Sequence, residues 1–373
     1  MSSVLSSASQ FYPTPCITGA EAVCAIGSSL AECLENWQAG RSGLCEHQGM
    51  LQGRIADRRL MAGRRYSAAA NLAVHVAHRA ATRAGWGSAE LRDTWIFAAS
   101  SRGNAGELLG HQAWRRPSPR FSASNTIHSE IAAAVSIELG IHGPWQMLAS
   151  GCSAGLDALG MAWMALRAGA CRRALVLAVE LPLVPEIIAA FRATHLMSKD
   201  LRNDPLHPAT SGLHLGEGAA ALTLELEAGA VLAEVESYRA NSDAFHPLTI
   251  PQDGGDLAEL ISHFPHPALI CPHATGTPNH AQAEPNALRT VFGEKLPPQL
   301  LMKPLTGHTL GACGLLDVSL IAGALPSVPG NLPGLTGVPS GKITLSPGDS
   351  ILKIASAMGG HNAALSLRVP HQR

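Results

Sequence analysis

Short apolar stretches alternate with longer amphipathic ones along most of the chain. The short stretches have the length of β-strands, and the longer ones repeat their apolar positions every three to four residues, as α-helices do. The first part of the chain is predicted to contain strands at residues 16–18, 95–99, 145–149 and 174–179, and helices at 30–37 (with Ser28 as N-cap), 67–84, 131–139 and 153–168. This alternation is typical of an α/β protein.

The second part of the chain repeats this plan. It is predicted to contain strands at residues 219–224, 231–238, 268–271, 300–302 and 351–354, and helices at 256–264, 284–292 and 310–324. We therefore expect two related halves, residues 16–226 and 227–373, preceded by a flexible N-terminal segment, residues 1–15. The glycine pair Gly359-Gly360, just after the last strand, indicates a close approach of the backbone to a neighbour.

Composition and charge narrow the possible functions. The chain has 373 residues, 27 Lys and Arg against 28 Asp and Glu, and a formal net charge of −1. This balance argues against a nucleic-acid partner, because neutralising phosphates needs a clustered cationic surplus. The hydrophobic content of 46% is ordinary for a globular protein and excludes a disordered chain.

The cysteines and the apolar runs predict a cytoplasmic location. Eight cysteines are scattered without the short paired spacings of a zinc ribbon or a disulfide framework, which favours a reducing compartment. No apolar run approaches the roughly 20 residues that a membrane span needs. The serine-rich N-terminus has no basic start followed by an apolar stretch, so we predict no signal peptide.

Cys152 is the strongest nucleophile candidate. It lies in the corner 150–155, between a predicted strand and a predicted helix. At the N-terminus of a helix the macrodipole favours the thiolate form of a cysteine, which is the nucleophilic form. The alternative interpretation is a buried structural cysteine.

Two histidines, His273 and His308, occupy matching places in the second half. Each lies just beyond a predicted strand, within a turn rich in glycine and threonine, where its side chain can point into a cleft. Lys303 lies in an apolar neighbourhood, where a buried amine requires a carboxylate partner. Glu217, in the sequence Gly-Glu-Gly, is the candidate for that partner.

Two other chemistries remain open on these residues. The corner also fits G-x-S-x-G, the nucleophile elbow of serine hydrolases, with Ser153 as the nucleophile. That interpretation gives no role to residues 303–308. A zinc site is conceivable from the ligand types of Cys271, His273, His308 and Cys313, although the predicted helix that carries Cys313 does not favour it. We predict no metal.

Seven segments in chain order resemble the β-ketoacyl-acyl-carrier-protein synthases. They are residues 19–44, the corner Gly151-Cys152-Ser153-Ala154-Gly155, the strand Leu215-Gly216-Glu217-Gly218-Ala219, the loop Ser242-Asp243-Ala244-Phe245-His246, the turn His273-Ala274-Thr275-Gly276-Thr277-Pro278, Lys303 through Gly307-His308 to Gly311-Ala312, and Gly359-Gly360-His361-Asn362. Each alone is a weak signal. Their common order from about residue 16 to about residue 366 makes the resemblance specific.

The resemblance implies a thiolase-like fold with a layered αβαβα core, usually paired as a dimer. It implies that Cys152 takes an acyl group from a carrier-protein thioester. It further implies that His273 and His308 bind a malonyl thioester and promote its decarboxylation, after which the carbanion attacks the acyl-cysteine. Two neutral imidazoles can donate the hydrogen bonds that an enolate-like intermediate needs.

The resemblance also implies supporting roles. The backbone N–H groups of Cys152 and Met358 resemble an oxyanion hole for the acyl-enzyme, and a Lys303–Glu217 pair would orient the His308 loop. Thr275 and Thr277 would hold the pantetheine amides, and Met358, followed by Gly359 and Gly360, stands where the family usually has a gating Phe. No cofactor is implied. The implied partners are an acyl carrier protein and a second subunit, either an identical copy or another ketosynthase-like chain.

The sequence also departs from the family pattern. Ser150-Gly151 replaces the usual Thr-Ala before the nucleophile, Ala274 replaces a glycine, and Ala281 replaces an aspartate. These departures favour a specialised polyketide or polyene pathway over housekeeping fatty-acid synthesis. They also keep open a non-elongating acyltransferase or a chain-length partner subunit, although partners of that type commonly lack the cysteine.

Overall fold

The structure is a computed structural model that describes residues 13–109, 120–226 and 228–371. The strands are β1 (Cys16–Cys24), β2 (Leu44–His47), β3 (Met50–Gly53), β4 (Trp95–Ala99), β5 (Trp145–Leu148), β6 (Arg173–Glu180), β7 (Gly218–Glu225), β8 (Ala233–Ser242), β9 (Leu269–Cys271), β10 (Ser327–Val328), β11 (Ile343–Thr344), β12 (Ser350–Ser356) and β13 (His361–Arg368). The helices are α1 (Leu30–Gln38), α2 (Ala68–Arg83), α3 (Ser88–Arg92), α4 (Ala105–Leu109), α5 (Ser122–Asn125), α6 (Glu130–Leu139), α7 (Ala154–Arg167), α8 (Pro185–Ala193), α9 (Gly255–Ser262), α10 (His280–Phe292), α11 (Lys303–Thr306) and α12 (Cys313–Ala324).

The main sheet runs through both halves of the chain. Its strand order is β5-β4-β6-β7-β1-β8-β13-β12-β9. β4 pairs in parallel with β5 and β6, and β12 pairs in parallel with β9, whereas the strands between them are antiparallel. A short antiparallel contact, Ile17 with Ala233 and Cys16 with Glu234, joins β1 of the first half to β8 of the second.

The two halves have the same topology. From the junction outward the first half reads β1-β7-β6-β4-β5, and the second reads β8-β13-β12-β9. The fifth strand of the second half is reduced to a parallel bridge between Ile270 and Gln299. The strand predicted at residues 300–302 is therefore wrong as an extended strand, although its backbone N–H at Leu300 still donates to Ile270 at 2.8 Å.

Helices form three layers around the two half-sheets. α2 and α6 pack on the outer face of the first half, and α9 and α10 on the outer face of the second, each through an apolar cluster of its own. α7 and α12 lie between the halves and contribute to the largest core cluster, which draws on both. The layers therefore follow the order αβαβα.

Glycines let the two central helices approach each other closely. A Cβ on Gly155 would lie 2.8 Å from the Gly311 carbonyl oxygen, and a Cβ on Gly314 would lie 2.9 Å from the Cβ of Leu156. Both distances are below ordinary van der Waals contact, so a larger residue would force the helices apart. The contact brings the start of α7, next to Cys152, against the start of α12.

Most predicted elements are present, with bounds that differ by a few residues. Ser29, not Ser28, is the N-cap of α1, because its hydroxyl accepts from the Glu32 N–H. The pattern missed the hairpin of β2 and β3, the helix α8 and the last strand β13. Of the flexible segment predicted at residues 1–15, residues 1–12 lie outside the described ranges. Among the described residues, no helix has the length and apolar character that crossing a membrane requires.

Candidate active site

The nucleophile corner is built by a tight turn between β5 and α7. Gly151 has φ of +62°, and a Cβ there would lie 3.0 Å from that of Ala357, so the corner fits closely against the end of β12. A single 3-10 turn over residues 151–153 then leads into α7. Cys152 therefore stands at the start of a helix, as predicted, with only 6% of its surface exposed.

Apolar side chains pack around Cys152. It belongs to a cluster with Ile187, Phe191, Met197 and Leu213. Burial raises the pKa of the Cys152 thiol above its ordinary value, with a smaller contribution in the same direction from Cys313. Desolvation of the charged form therefore opposes the thiolate that the helix start would favour.

His273 and His308 meet directly above the cysteine. Their ring centroids are 5.1 Å apart and their planes are at 82°. The Cys152 sulfur and one ring nitrogen from each histidine all lie within 4.8 Å of one another. The two turns singled out in the sequence thus converge with the corner on one point.

Both imidazoles are buried and neutral. His273 is 1% exposed and His308 is 2% exposed. Burial lowers the pKa of each well below its ordinary value, and the positive charge of Lys303 lowers it further. A neutral imidazole carries one N–H donor and no charge, which suits it to stabilise a developing oxyanion.

The backbone holds His273 and His308 in place. The N–H groups of His273 and Ala274 donate to the Glu284 carboxylate at 2.6 and 2.8 Å. The His308 N–H donates to the His214 carbonyl at 2.6 Å. Ala274 has φ of +42°, a conformation that a glycine adopts more readily, so the turn keeps its shape despite the departure from the family pattern.

The predicted pair of Lys303 and Glu217 is wrong. The Lys303 ammonium donates to Asp317 Oδ2 at 3.2 Å, whereas the Glu217 carboxylate accepts from the Arg58 guanidinium and, at 3.1 Å, from the Ile55 N–H. The reason is topological. The Glu217 N–H donates to the Gly53 carbonyl at 2.7 Å, which fixes that residue at the β2–β3 hairpin and away from the lysine.

One cavity joins the predicted site residues. Its volume is about 50 Å³, and its wall contains Cys152, Phe191, Leu196, Leu213, Leu248, Ile250, His273, Thr275, Thr277, Asn279, His280, His308, Ser356, Ala357 and Met358. Six predicted residues are in this wall. Lys303, Glu217, Gly359 and Gly360 are outside it.

Thr275, Thr277 and the turn that carries Met358 lie at this cavity. The hydroxyls of Thr275 and Thr277 are 3.1 Å apart and share a hydrogen bond. Met358 lies in the turn between β12 and β13, where Gly359 and Gly360 have φ of +91° and +81°. A Cβ on Gly360 would lie 3.1 Å from that of Asp243, which is the close approach that the glycine pair predicted.

The geometry does not support the serine hydrolase. Ser153 is fully buried, and its hydroxyl donates to the His361 carbonyl at 3.3 Å. It is not part of the cavity wall, and no histidine ring accepts from it among the described residues.

The zinc set predicted from the sequence does not assemble. Cys271 accepts from the Lys353 ammonium at 3.5 Å, and Cys313 donates to the Cys152 carbonyl at 3.4 Å. Among the described residues, the one group of potential ligands whose atoms converge is Cys152 with His273 and His308.

Four residues of the site were not predicted from the sequence. His280 contributes a third imidazole to the cavity wall, 5.3 Å from the His273 ring. Glu284 anchors the His273 turn, Asp317 is the partner of Lys303, and Lys353 is a second lysine on the same carboxylate. The sequence could have indicated that Asp317 and Lys353 have buried partners, because a charged residue in an apolar helix or strand needs one.

Comparison with known proteins agrees with this geometry. The family model described as the β-ketoacyl synthase N-terminal domain matches residues 61–230, and that of the C-terminal domain matches residues 232–327. A polyketide β-ketoacyl synthase for actinorhodin from Streptomyces coelicolor is 29% identical over 274 residues, which cover 65% of this chain and 58% of the relative. The ketoacyl synthase alpha subunit for tetracenomycin from Streptomyces glaucescens is 28% identical over 66% of this chain and 65% of its own length. The aligned part is thus less than two thirds of each relative.

Solved structures show the same fold. A type II polyketide ketosynthase, solved in complex with its acyl-carrier protein, superposes with a TM-score of 0.85 at 22% identity, over 96% of this chain and 99% of the other. The ishigamide ketosynthase/chain length factor gives 0.83 at 22% identity, over 96% and 100%. The layered, thiolase-like fold expected from the sequence is confirmed. Since the two family models together span most of the chain, from residue 61 to residue 327, this protein belongs to the β-ketoacyl synthase family.

Proposed function

We propose that this chain is a condensing enzyme that joins an acyl group on Cys152 to a malonyl thioester on an acyl carrier protein. The observation that carries the proposal is the convergence of the Cys152 sulfur with nitrogens of His273 and His308 within 4.8 Å, in one cavity. Those three groups supply a nucleophile and two neutral donors, which is what the two half-reactions need.

The first half-reaction is transfer of the acyl group. The sulfur of Cys152 attacks the thioester carbonyl, the carbon–sulfur bond to the carrier breaks, and the thiol proton passes to the departing pantetheine sulfur. The high pKa of the buried thiol implies that this proton leaves only as the substrate arrives. The apolar cluster with Ile187, Phe191, Met197 and Leu213 supports a hydrocarbon chain as the group transferred.

The second half-reaction is decarboxylative condensation. With the malonyl thioester carbonyl against His273 and His308, the bond to the carboxylate breaks, carbon dioxide leaves, and the electron pair becomes an enolate. The enolate carbon attacks the acyl-cysteine carbonyl, the carbon–sulfur bond breaks, and the Cys152 thiolate regains a proton. The imidazoles donate to the enolate oxygen, and the backbone N–H groups of Cys152 and Met358 are the proposed donors to the oxyanion at the acyl-cysteine.

The proposed partners are an acyl carrier protein and a second ketosynthase-like subunit, identical or different. β5 is the edge of the sheet among the described residues, and its Trp145 is 40% exposed, which supports an interface there. The relatives' polyketide roles favour a polyketide product over a fatty acid. We also propose a cytoplasmic location, on the cysteine spacing given above.

Intact-protein mass spectrometry tests this function. The protein is mixed first with a panel of acyl-carrier-protein thioesters and then with malonyl-carrier protein. We expect an acyl adduct that disappears as a β-ketoacyl product forms. An adduct that persists would indicate a non-elongating acyltransferase, and no adduct in the presence of a candidate partner subunit would indicate a chain-length partner.

A further inference from the structure

A lysine stands at a position where the sheet pattern calls for an apolar residue. Lys353 is in the middle of β12 and is 0% exposed. Its neighbours on the same face, Ile351 and Ala355, belong to the central core, whereas Leu352 and Ile354 face the outer helices. The Lys353 side chain is therefore directed into the layer that holds α7 and α12.

The ammonium of Lys353 binds a carboxylate that also binds a second lysine. Asp317 Oδ2, on α12, accepts from Lys353 at 2.5 Å and from Lys303 at 3.2 Å. Within the described residues, neither lysine forms an ion pair with any other carboxylate. The cluster of two lysines and one aspartate thus has a net charge of +1, and a buried net charge is costly for stability.

The remaining contacts of Lys353 lead to the active site. Its ammonium also donates to the Pro272 carbonyl at 3.4 Å and lies 3.5 Å from the Cys271 sulfur. Pro272 immediately precedes His273. The excess charge therefore lies beneath the turn that carries one of the two imidazoles, while Lys303 begins the helix that leads to the other, His308.

We propose that Lys353 is a positioning residue for the histidine pair. It supplies a second buried positive charge, which holds both imidazoles in their neutral, donating form and strengthens the positive potential where an enolate oxygen develops. It acts through His273 and Asp317, since it is not part of the cavity wall. The expected effect on decarboxylation rests on the proposed condensation, whereas the expected effect on the imidazole pKa values does not.

The electrostatic setting agrees with this role. Burial works against the charge of Lys353, but the Asp317 carboxylate outweighs it, and the pKa of Lys353 ends above its ordinary value. After burial, electrostatic interactions with Lys303, His308, His280 and Lys353 lower the pKa of His273, and of these groups the two lysines carry the positive charge.

The same lysines face His308. After burial, Lys303, His280 and Lys353 lower its pKa. The acidic groups Glu284, whose carboxylate binds the His273 turn, and Asp243 raise the pKa of His280 instead.

Two variants separate charge from hydrogen bonding. Lys353→Met removes the charge at similar volume, and Lys353→Gln removes it but retains a donor. The primary readout is NMR titration of 13C-labelled imidazoles, with His273→Ala and His308→Ala used for assignment. In both variants we expect the pKa of the two imidazoles to rise, on the order of one pH unit. The exposed Lys342→Met is the matched control and should change nothing.

The catalytic readout is the rate of malonyl-carrier decarboxylation at pH 7. We expect it to fall about tenfold in both variants, because the developing enolate loses the stabilising potential of one buried positive charge, of the same size as the expected change in imidazole pKa, while acyl loading of Cys152 is retained. Thermal stability should be unchanged or higher, because Asp317 then forms a neutral pair with Lys303 alone.

The outcomes are decisive in either direction. Imidazole pKa values that stay unchanged in folded Lys353→Met would overturn the inference, and so would a variant that fails to fold, since that result would make Lys353 structural. Recovery of the wild-type titration by Lys353→Gln would assign the effect to hydrogen bonding and also contradict it. If the wild type shows no decarboxylation but the pKa shift occurs, the condensation proposal fails while the electrostatic role stands.

Discussion

The two central helices begin in equivalent places of the two halves, and each carries a buried aspartate, but the groups around their starts differ. α7 starts beside Cys152, within an apolar cluster of aliphatic and aromatic side chains. α12 starts just after His308 and carries Asp317, with two lysines on one carboxylate. One repeated topology thus surrounds the nucleophile with apolar side chains, with Asp157 of α7 bound by His361, and supports two imidazoles with two buried lysines.

Under the proposed function, this difference explains how one cavity would serve both half-reactions. A covalently held hydrocarbon chain needs apolar walls, whereas an enolate needs donors backed by positive charge. Because Gly155 and Gly314 let the helices approach closely, the two environments meet at a single point. We call the start of α7 around Cys152 the first corner, and the turns that carry His273 and His308 the second corner. Changes in the first corner should affect loading, and changes in the second should affect decarboxylation.

The largest effect is expected at the first corner. Cys152→Ala should abolish acyl loading, because no other cysteine lies in the cavity wall. The matched control is Ser153→Ala, which removes a hydroxyl whose hydrogen bond, within the described part of the chain, is to the His361 carbonyl, and which should leave loading largely intact. Intact-protein mass spectrometry measures both. Loss of loading in Ser153→Ala, together with fluorophosphonate labelling of that serine, would instead support a hydrolase.

The next effect is expected at the second corner. His273→Ala and His308→Ala should each retain acyl loading and lose decarboxylation by at least about a hundredfold, the cost typical of one oxyanion donor. The measurement is release of carbon dioxide from malonyl-carrier protein, beside an acyl-loading assay on the same preparation. Loading that fails equally in both folded variants would contradict the division of roles between the corners.

A smaller effect concerns stability against acid. Burial lowers the pKa of His273 and His308 in the folded protein. Below the unfolded value of about 6.5 the unfolded chain therefore binds protons that the folded chain does not, and stability falls by up to about 1.4 kcal/mol per pH unit for each histidine. Denaturant unfolding between pH 7 and pH 5.5 should show a shallower pH slope in His308→Leu than in wild type. Equal slopes would mean that His308 is not buried as a neutral ring.

Local patterns in the sequence identified the residues at chain corners. Cys152, His273 and His308 each follow a strand-length run and precede a helix or a turn, so their placement could be predicted without the fold. Thr275 and Thr277 lie within a few residues of His273, Met358 lies in the turn after β12, and all three line the cavity. Their proposed roles stay predictions until tested.

Partnerships across the fold could not be predicted in the same way. Asp317 and Lys353 meet only because β12 and α12 pack together, and the spacing along the chain gives no sign of it. Residue type and the family resemblance both pair Glu217 with Lys303, but the β2–β3 hairpin, which the pattern missed, holds Glu217 elsewhere. Burial, which raises the pKa of the Cys152 thiol, likewise depends on packing between the halves.

The smallest expected effect lies at the turn that separates the two corners. Met358 is in the cavity wall, and a Cβ on Gly151 would lie 3.0 Å from that of Ala357, so the Met358 turn borders the nucleophile corner. A methionine side chain has three rotatable bonds and no fixed plane, so it can fold away from an incoming chain at lower steric cost than a Phe ring. We therefore expect wild type to accept a range of acyl primers.

Met358→Phe should narrow that range and slow the loading of long or rigid chains more than that of short ones. The observable is the ratio of loading rates for long and short acyl thioesters, which should fall a few-fold in the variant, while the decarboxylation rate set by the second corner changes little. Met358→Leu, which keeps an aliphatic side chain without the ring, is the matched control and should leave the ratio close to wild type. A ratio that Met358→Phe does not alter would show that selectivity is set deeper, among the apolar residues around Phe191 and Leu213, and that the turn does not gate the first corner.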